Sequence, residues 1–425
     1  MQSILVFFVS PQSENTHRTN CYNILTMPVY RRHPFTSRKC PPAFWLIYLL
    51  SVLFNFHTLL TAYANSTYME QFASPAAIGA MYTIGSSLAV FGFLFISGVL
   101  RRVGNVRLTI WLAIIEIVAI VLVGCAFSAA TTIVAFVLLL TINPLLYLSL
   151  DIFSESLIGA NESKTGSRRG LVLTLMSFAS VLGSLSLAAI VGDNDASLYK
   201  IYFVAAGVFV FFIALVVIHF KAFKDPEYNE VKVLSAIRTF WENHDLRLVF
   251  LAYFTLQIFF AWTVVYIPLY LATEIGFSWQ IIGSVIAVGL MAYVIFEYPV
   301  GFIADKYIGE KEMMAVGFLI LAVSSSWISF MATAPVLSWM ILMFVMRVGA
   351  SLVEATSESY FFKHTQGSDA NIISFFRLTG PLGMICGSLL GTVSLLYLPF
   401  ELIFVVLGCV MVPGIFFASR LNDTK

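Results

Sequence analysis

Twelve apolar stretches, each about as long as a membrane-crossing helix, constrain this chain more than any other feature. A helix of about 20 mostly apolar residues spans the hydrocarbon core of a bilayer. Lipid cannot hydrogen-bond to bare backbone, and the alternating pattern of barrel strands is missing, so the stretches are predicted to be helices. These predicted spans 1 to 12 cover residues 43–64, 76–100, 107–127, 131–157, 170–191, 199–221, 246–272, 278–303, 312–332, 335–361, 371–396 and 400–419.

The composition agrees with a chain surrounded by lipid. Of the 425 residues, 59% are hydrophobic and 11% are charged, whereas soluble domains carry about 25% charged residues. We therefore predict an all-α integral membrane protein whose partner along its length is the bilayer. The net charge of +1 gives no reason to expect a nucleic-acid partner. No motif for a metal, a nucleotide or hydrolytic chemistry occurs, so neither a cofactor nor an enzymatic activity is predicted.

The distribution of basic residues predicts the orientation. If the N-terminus is inside, Lys200 alone among the 24 lysines and arginines lies in an outside loop, while Arg347 and Arg377 lie within spans. Cytoplasmic loops carry the excess of basic residues, so both termini are predicted to be cytoplasmic and the protein to lie in the cell membrane.

Loop lengths divide the chain into five predicted regions. The first region is expected to be disordered, and Met27 is an alternative start within it. The central linker carries an amphipathic pattern typical of a helix on the membrane surface. The regions are a cytoplasmic tail at 1–42, a six-helix bundle at 43–221, the linker at 222–245, a second six-helix bundle at 246–420 and a tail at 421–425.

The two halves of the chain resemble each other weakly. Both halves begin on the same side of the membrane, so the repeat is parallel. This arrangement is typical of transporters whose site lies between the halves near the midplane. Three pairs of positions match in collinear order: 74–79 with 278–283, 151–156 with 354–359, and Gly183 with Gly383.

The sequence GFIADKYIGEK, residues 301–311, resembles the loop motif between helices 8 and 9 of the major facilitator superfamily. It carries one extra residue before Gly309. Residues 242–247, and the segment from Glu155 to Gly170, also resemble that family, so the resemblance extends over 43–420. It implies two parallel, pseudo-symmetric six-helix bundles that expose a central site alternately to the two sides by a rocker-switch movement.

The resemblance also implies gating residues at the cytoplasmic end. Asp305 would hold the N-terminal end of span 5, which carries partial positive charge, whenever the protein is closed to the cytoplasm. Lys306 would pair with Glu155 or face the anionic leaflet. Gly301 and Gly309 would form the turn. Simple anchoring of the loop at the membrane surface is the alternative.

The first half departs from this pattern. Arg101 aligns with Asp305 and is followed by Arg102, while Asp369 opens span 11 where Arg169 opens span 5. The signs of the charges are therefore exchanged between the halves. We expect Arg101 or Arg102 to pair with Asp369 or with Glu358; a solvated basic loop is the alternative.

Polar side chains form stripes within the spans. Ionisable groups cost about 3 kcal/mol at the bilayer centre on insertion scales, which makes them functional candidates. One stripe in span 10 runs from Arg347 to Glu358, another in span 4 from Asn143 to Glu155, and the resemblance implies that spans 1, 4, 7 and 10 line the cavity. Arg347 is the predicted contact for an anionic group. The predicted substrate-binding residues are Asn55, Asn65, Asn143, Tyr147, Trp262, Tyr266 and Arg347.

Two faces each of spans 1 and 7 remain possible cavity linings. Residues His57 and Thr61 lie on the other face of span 1, and Gln257 on the other face of span 7. Residue His57 could shuttle protons, although a hydrogen-bonded packing histidine is the favoured interpretation.

Two carboxylates are predicted to carry protons. Asp151 and Glu354 lie one turn deeper than Glu155 and Glu358, and burial favours the protonated form of an acid. A static cytoplasmic gate is the alternative.

The predicted function is a monomeric secondary active transporter that moves a small solute together with, or against, protons. An uncoupled facilitator, a transporter-like sensor and a lipid-handling protein are the alternatives, and no substrate class is indicated.

Overall fold

The computed structural model describes residues 45–158, 165–226, 228, 233–364 and 375–422. This part of the chain forms twelve helices that are long and apolar enough to cross a membrane, and it contains no strand. The predicted all-α fold class is thereby confirmed. They are α1 Trp45–Ala62, α2 Pro75–Val103, α3 Asn105–Cys125, α4 Ala129–Ile158, α5 Thr165–Val191, α6 Tyr199–His219, α7 His244–Thr273, α8 Trp279–Ile303, α9 Glu310–Trp327, α10 Val336–Lys363, α11 Thr379–Tyr397 and α12 Ile403–Ser419.

Local sequence explains where several helices begin. The Ser74 side chain accepts a hydrogen bond from the Ala77 backbone N–H, and Pro75 occupies the first position of α2. Asn243 likewise accepts from the N–H groups of Asp245 and Leu246 at the start of α7. Both arrangements satisfy N–H groups that a helix leaves without an internal partner.

The helices form two bundles with the same internal packing. In the first, α1 contacts α5 and α6, α2 contacts α4, and α3 contacts α4 and α6. In the second, α7 contacts α11 and α12, α8 contacts α10, and α9 contacts α10 and α12. Each contact recurs six helices later, as a parallel repeat requires.

The bundles meet where α5 packs against α8 and where α2 packs against α11. A Cβ atom on Gly283 would lie 2.7 Å from the Ser184 carbonyl oxygen, and one on Gly79 would lie 3.2 Å from that of Ser388. Both serines and both glycines are separated by the same 204 residues. These contacts lie within the first turns of α2 and α8, at what we call the sealed end. The opposite end, where α3 and α9 begin, is the basic end.

The same 204-residue register revises one of the sequence matches. A Cβ atom on Gly183 would lie 3.2 Å from the Leu60 nitrogen of α1, and one on Gly387 would lie 3.0 Å from the Ile258 oxygen of α7. Gly183 therefore corresponds to Gly387, and the predicted match with Gly383 was wrong by one helical turn. Several small residues at helical spacing made the two alignments equally plausible in the sequence.

The turns before α3 and α9 are equivalent although they differ by one residue. Gly104 and Gly309 have φ angles of 78° and 110°, which favour glycine. The Gly104 N–H donates to the Leu100 carbonyl four residues back, whereas the Gly309 N–H donates to the Ala304 carbonyl five residues back. A π turn over Ala304–Ile308 thus contains the extra residue.

The linker between the bundles is attached to the first bundle at the basic end. An Asp225 carboxylate oxygen accepts from the Asn105 backbone N–H at 2.7 Å, at the N-terminus of α3. The Tyr228 hydroxyl donates to the same oxygen, and burial together with this bond raises the pKa of Tyr228. A short helix, Val233–Glu242, follows.

Candidate functional site

The first cavity lies between the bundles, and the empty space within it, including the part open to solvent, is about 870 Å³. Helices α1, α2, α3, α4, α7 and α11 all contribute to its lining, and Phe260 and Val264 of α7 are among its apolar residues. No lysine or arginine belongs to the lining in the described part of the chain. Its polar residues are His57, Thr58, Thr61, Asn65, Tyr82, Ser86, Glu116, Asn143 and Gln257.

Glu116 is the centre of a hydrogen-bonded group in this cavity. Its carboxylate is fully buried, and one oxygen lies 3.5 Å from His57 Nε2. The Asn143 amide donates to that oxygen and to Thr58 Oγ1, both at 3.1 Å. Helices α1, α3 and α4 are thereby connected through polar side chains at mid-depth.

Three buried polar atoms of the first cavity have no hydrogen-bond partner among the described residues. They are the Tyr82 hydroxyl, Gln257 Nε2 and Glu116 Oε2. A buried polar group without a partner costs about 1–3 kcal/mol. Because the three atoms come from α2, α7 and α3, they can bind one small molecule from several directions.

The second cavity lies on the other side of Phe260 and Val264, which line both cavities. It holds about 520 Å³ of empty space. The Arg347 guanidinium donates to the Tyr63 hydroxyl at 3.1 Å, and so connects α10 to the chain just after α1. Its remaining lining residues include Asn55, Ser177, Ser180, Tyr293 and Glu354.

The structure divides five of the predicted site residues between the cavities. Asn65 and Asn143 line the first, whereas Asn55, Arg347 and Glu354 line the second. The other face of α1, which includes His57 and Thr61, also lines the first cavity. Asn55 therefore faces a different cavity from His57 and Thr61, whereas Asn65, which lies beyond the end of α1, lines the same cavity as those two residues.

Four further predicted residues lie away from the lining of both cavities. The Trp262 indole donates to the Gly387 carbonyl, and the Tyr266 hydroxyl donates to the Ser388 carbonyl at 2.7 Å. Both side chains therefore hold α7 against α11. Tyr147 and Asp151 are half-buried on α4, on the basic-end side of Asn143, and the Tyr147 ring centroid lies 5.6 Å from that of Phe54.

The structure describes some of the predicted gating residues and not others. Glu358 pairs with Arg377 and accepts from the Tyr253 hydroxyl at 3.3 Å, within the second bundle. Arg101 and Arg102 are exposed at the basic end, and Gly309 forms the turn described above. Asp369 lies outside the described residues, and so do the side chains of Glu155, Arg169, Asp305 and Lys306. Of Gly301, the structure describes only its helical backbone, near the end of α8.

Sequence reasoning gave little weight to several residues that line the first cavity. Spacing within the spans did not single out Glu116, and it placed Gln257 on the less favoured face of span 7. Their signals were present: a carboxylate at the middle of an apolar span, and Gln257, Phe260 and Val264 at helical spacing on one face. Tyr82 alone carried no sequence signal.

Twelve apolar helices in two equivalent bundles around central polar cavities define a multi-pass membrane protein with a transporter fold. A family model described as Major Facilitator Superfamily matches residues 249–424. The match covers nearly all of the second bundle, and the described part of the chain has the fold of solved transporters. Comparison with curated protein sequences gives no match.

Three solved structures illustrate the shared fold. A variant of the nucleoside transporter NupG superposes with a TM-score of 0.68 and 11% identity, over 88% of this chain and 99% of that one. The xylose transporter XylE from E. coli, in a partially occluded inward open conformation, gives 0.65 and 14%, over 90% and 98%. A D-xylose-proton symporter gives 0.63 and 14%, over 90% and 98%.

Proposed function

We propose that the protein is a secondary active transporter that moves a small polar solute by alternating access, with protons as the coupling ion. The observation that carries this proposal is the first cavity, where three buried polar atoms from separate helices, without partners among the described residues, line space between the two bundles. Buried polar atoms without partners that face a cavity can be satisfied by a ligand that supplies hydrogen-bonding groups.

The contacts between the bundles support alternating access. The closest approaches, at Gly79 and Gly283, lie at the sealed end, and the Gln280 N–H also donates across the bundles to the Gly192 carbonyl there. If the basic end is cytoplasmic, as the positive-inside rule predicts, this conformation is closed to the outside. Rocking of the bundles about the central site would then open the sealed end.

The lining of the two cavities suggests what the solute offers. In the first cavity, hydroxyl, amide and carboxyl groups without a nearby lysine or arginine suit hydroxyl or amide groups of a solute. In the second cavity, Arg347 is a cation that can bind an acidic group, with Glu354 in the same lining. A small solute rich in hydrogen-bonding groups therefore fits, and an acidic group would be directed to Arg347.

Proton coupling rests on carboxylates within the bundles. Glu354 lines the second cavity, and Asp151 lies between the first cavity and the basic end. An acid that is charged when exposed to water and protonated when enclosed can link proton movement to the rocking of the bundles. One protein of similar fold is a D-xylose-proton symporter.

Counterflow in proteoliposomes tests the proposal. A thermal-shift screen of uncharged hydroxylated compounds and of carboxylic acids first identifies a ligand, because a compound that binds only the folded protein raises its melting temperature. Vesicles loaded with that compound should then accumulate labelled compound by exchange, and an inward proton gradient should increase uptake. Exchange without an effect of the gradient would identify an uncoupled facilitator. Binding without exchange would instead identify a sensor or a lipid-handling protein.

A further inference from the structure

The carboxyl group of Glu116 occupies an unusual position for an acid. It is fully buried at the middle of α3, and one oxygen is held by Asn143 and faces His57. The other oxygen lines the first cavity and has no hydrogen-bond partner among the described residues. One half of this carboxyl group is thus fixed by the protein, and the other half is available to a ligand.

The contacts of His57 limit where its ring hydrogen can lie. Nδ1 lies 3.2 Å from the Phe54 carbonyl oxygen and 3.3 Å from Thr58 Oγ1, so it can donate to the carbonyl or accept from the hydroxyl. Nε2 faces the Glu116 oxygen at 3.5 Å. With the ring hydrogen on Nδ1, this contact needs one further proton, on the carboxyl group or on Nε2, and the pair is then neutral. With the ring hydrogen on Nε2 and no further proton, the pair carries one negative charge.

Among the described residues, no other charged group forms an ion pair with either side chain. On α4, Asn143 donates its two N–H groups to Glu116 and Thr58. On α6, the Phe209 ring stacks on His57 with centroids 4.2 Å apart. The only other titratable side chain in the described lining is Tyr82 on α2. Loss of the shared proton would leave a negative charge in a largely apolar site, which is costly.

We infer that Glu116 and His57 form a proton-binding site in the first bundle, and that Glu116 Oε2 binds a hydrogen-bonding group of the solute. This inference rests on the proposed function. One proton is taken from water and shared by the two side chains, and no covalent bond between heavy atoms is made or broken. The protonated pair is neutral and can be enclosed, whereas the unprotonated pair requires contact with water. Proton binding thereby permits the bundles to close over the solute.

The face of α4 gives the proton a route from the basic end. Asn143, Tyr147 and Asp151 follow one another at intervals of four residues on this helix, so they lie along one face. Asp151 is about 12 Å along the helix axis from Asn143, at 1.5 Å per residue. Asp151 would receive the proton nearer the basic end, and Glu116 would hold it beside the solute.

Infrared difference spectroscopy tests the inference without knowledge of the solute. Purified wild-type protein in lipid vesicles, measured at low and high pH, should show the carbonyl band of a protonated, buried carboxyl group. Glu116→Gln should lose this band, and His57→Asn should shift it. With its oxygen in the place of Oε1, Gln still accepts from Asn143 and from Nε2 of His57 when that nitrogen carries the ring hydrogen. The variant is neutral, as the protonated acid is, and should fold; size-exclusion chromatography checks this.

The control is Glu242→Gln, which alters a carboxylate that is 64% exposed and should leave the band in place. Because Glu354 and Asp151 can contribute a band of the same kind, the comparison is between wild type and variant: a buried carboxyl band of unchanged position and intensity in Glu116→Gln would overturn the inference. In counterflow, Glu116→Gln should exchange solute at a rate independent of pH; exchange that keeps the wild-type pH dependence would also overturn it. If the band depends on Glu116 but the wild-type protein exchanges no compound, the proposed function fails while the proton site remains.

Discussion

At the scale of single residues, Arg347 is a buried cation whose position explains both its stability and its exposure to ligand. Its guanidinium carbon lies 5.6, 5.9 and 6.0 Å from the ring centroids of Phe259, Phe260 and Tyr293. Aromatic faces attract a cation that has lost its water. Since the hydrogen bond to Tyr63 uses one N–H group, the planar fork retains further donors for a ligand in the second cavity.

We expect Arg347→Lys to weaken solute binding about tenfold or more. Lysine keeps the charge but loses the bidentate fork, and a charge-assisted hydrogen bond contributes about 1.5–3 kcal/mol. Binding is measured by the ligand concentration that half-maximally raises the melting temperature. Arg238→Lys is the control, because that side chain is 80% exposed on the linker helix. Equal affinity in the two variants would show that Arg347 is a packing residue.

We expect Asp151→Asn and Glu354→Gln to abolish uphill transport and to spare exchange. A neutral amide cannot cycle a proton, but it leaves the shape of the site nearly unchanged. The assay pairs gradient-driven uptake with counterflow in the same vesicles. Glu242→Gln, at an exposed carboxylate, is the matched control. If both variants still accumulate solute against its gradient, these two acids have a structural role.

From the sequence, the polar residues within the spans could be identified more reliably than the direction in which each side chain points, toward a cavity or toward a neighbouring helix. The stripes on α4 and α10 and the polar residues of α1 could be recognised from spacing alone. Trp262 and Tyr266 could not be assigned, because an aromatic residue with one polar atom suits both a cavity and a helix contact. Glu116 could not be assigned to the site from the sequence, because its partners His57 and Asn143 come from other helices. Only the tertiary packing of α1, α3 and α4 brings the three side chains together.

At the scale of helices, the interface between α5 and α8 depends on the absence of a side chain at Gly283. We expect Gly283→Ala to destabilise closure of the sealed end, because its Cβ atom would lie 2.7 Å from the Ser184 oxygen and 2.8 Å from Ala188 Cβ. Overpacking costs about 1–3 kcal/mol. Labelling of an engineered cysteine near the sealed end should therefore become faster from that side.

Gly207→Ala is the matched control for this prediction. A Cβ atom there meets nothing within 4 Å, and alanine is a better helix former than glycine by about 1 kcal/mol. We expect this variant to keep the labelling rate of the parent and to unfold at the same or a slightly higher temperature. Unchanged labelling in Gly283→Ala would mean that α5 and α8 separate without cost.

The turns at the basic end show what the sequence could and could not specify about a helix junction. Two glycines 205 residues apart were recognisable as turn positions, and both adopt positive φ angles. The extra residue before Gly309 looked like a departure from the motif. Its absorption into a π turn could not be predicted, since four- and five-residue turns differ little in local sequence preference.

At the scale of the whole molecule, the closest glycine contacts between the bundles among the described residues lie at the sealed end, so we expect the predicted contacts of Asp305 in the opposite state. We expect Asp305→Asn to fold normally and to shift the equilibrium further toward the form that is open at the basic end. A carboxylate at a helix N-terminus contributes about 0.3–1 kcal/mol, which is a change of roughly two- to fivefold in the population ratio. Cysteine accessibility from the two sides of the membrane measures this ratio.

Asp193→Asn is the control for the Asp305 variant, because Asp193 is exposed in the loop between α5 and α6 at the sealed end. Its accessibility pattern should match that of the parent protein. Identical patterns in both variants would assign Asp305 to membrane anchoring, the alternative that its sequence context left open.

The two glycine contacts between the bundles also bear on how such a molecule could arise. Gly79 meets Ser388, and Gly283 meets Ser184, in one register of 204 residues. Suppose that the gene arose by duplication of an ancestor that encoded six helices. Two identical six-helix proteins side by side would have formed both contacts with one glycine and one serine in each copy, because a two-fold axis repeats every contact. Fusion of the copies would then have freed each site to diverge on its own, and Ala188 and Thr392, which occupy equivalent places beside the two glycines, are such a divergence.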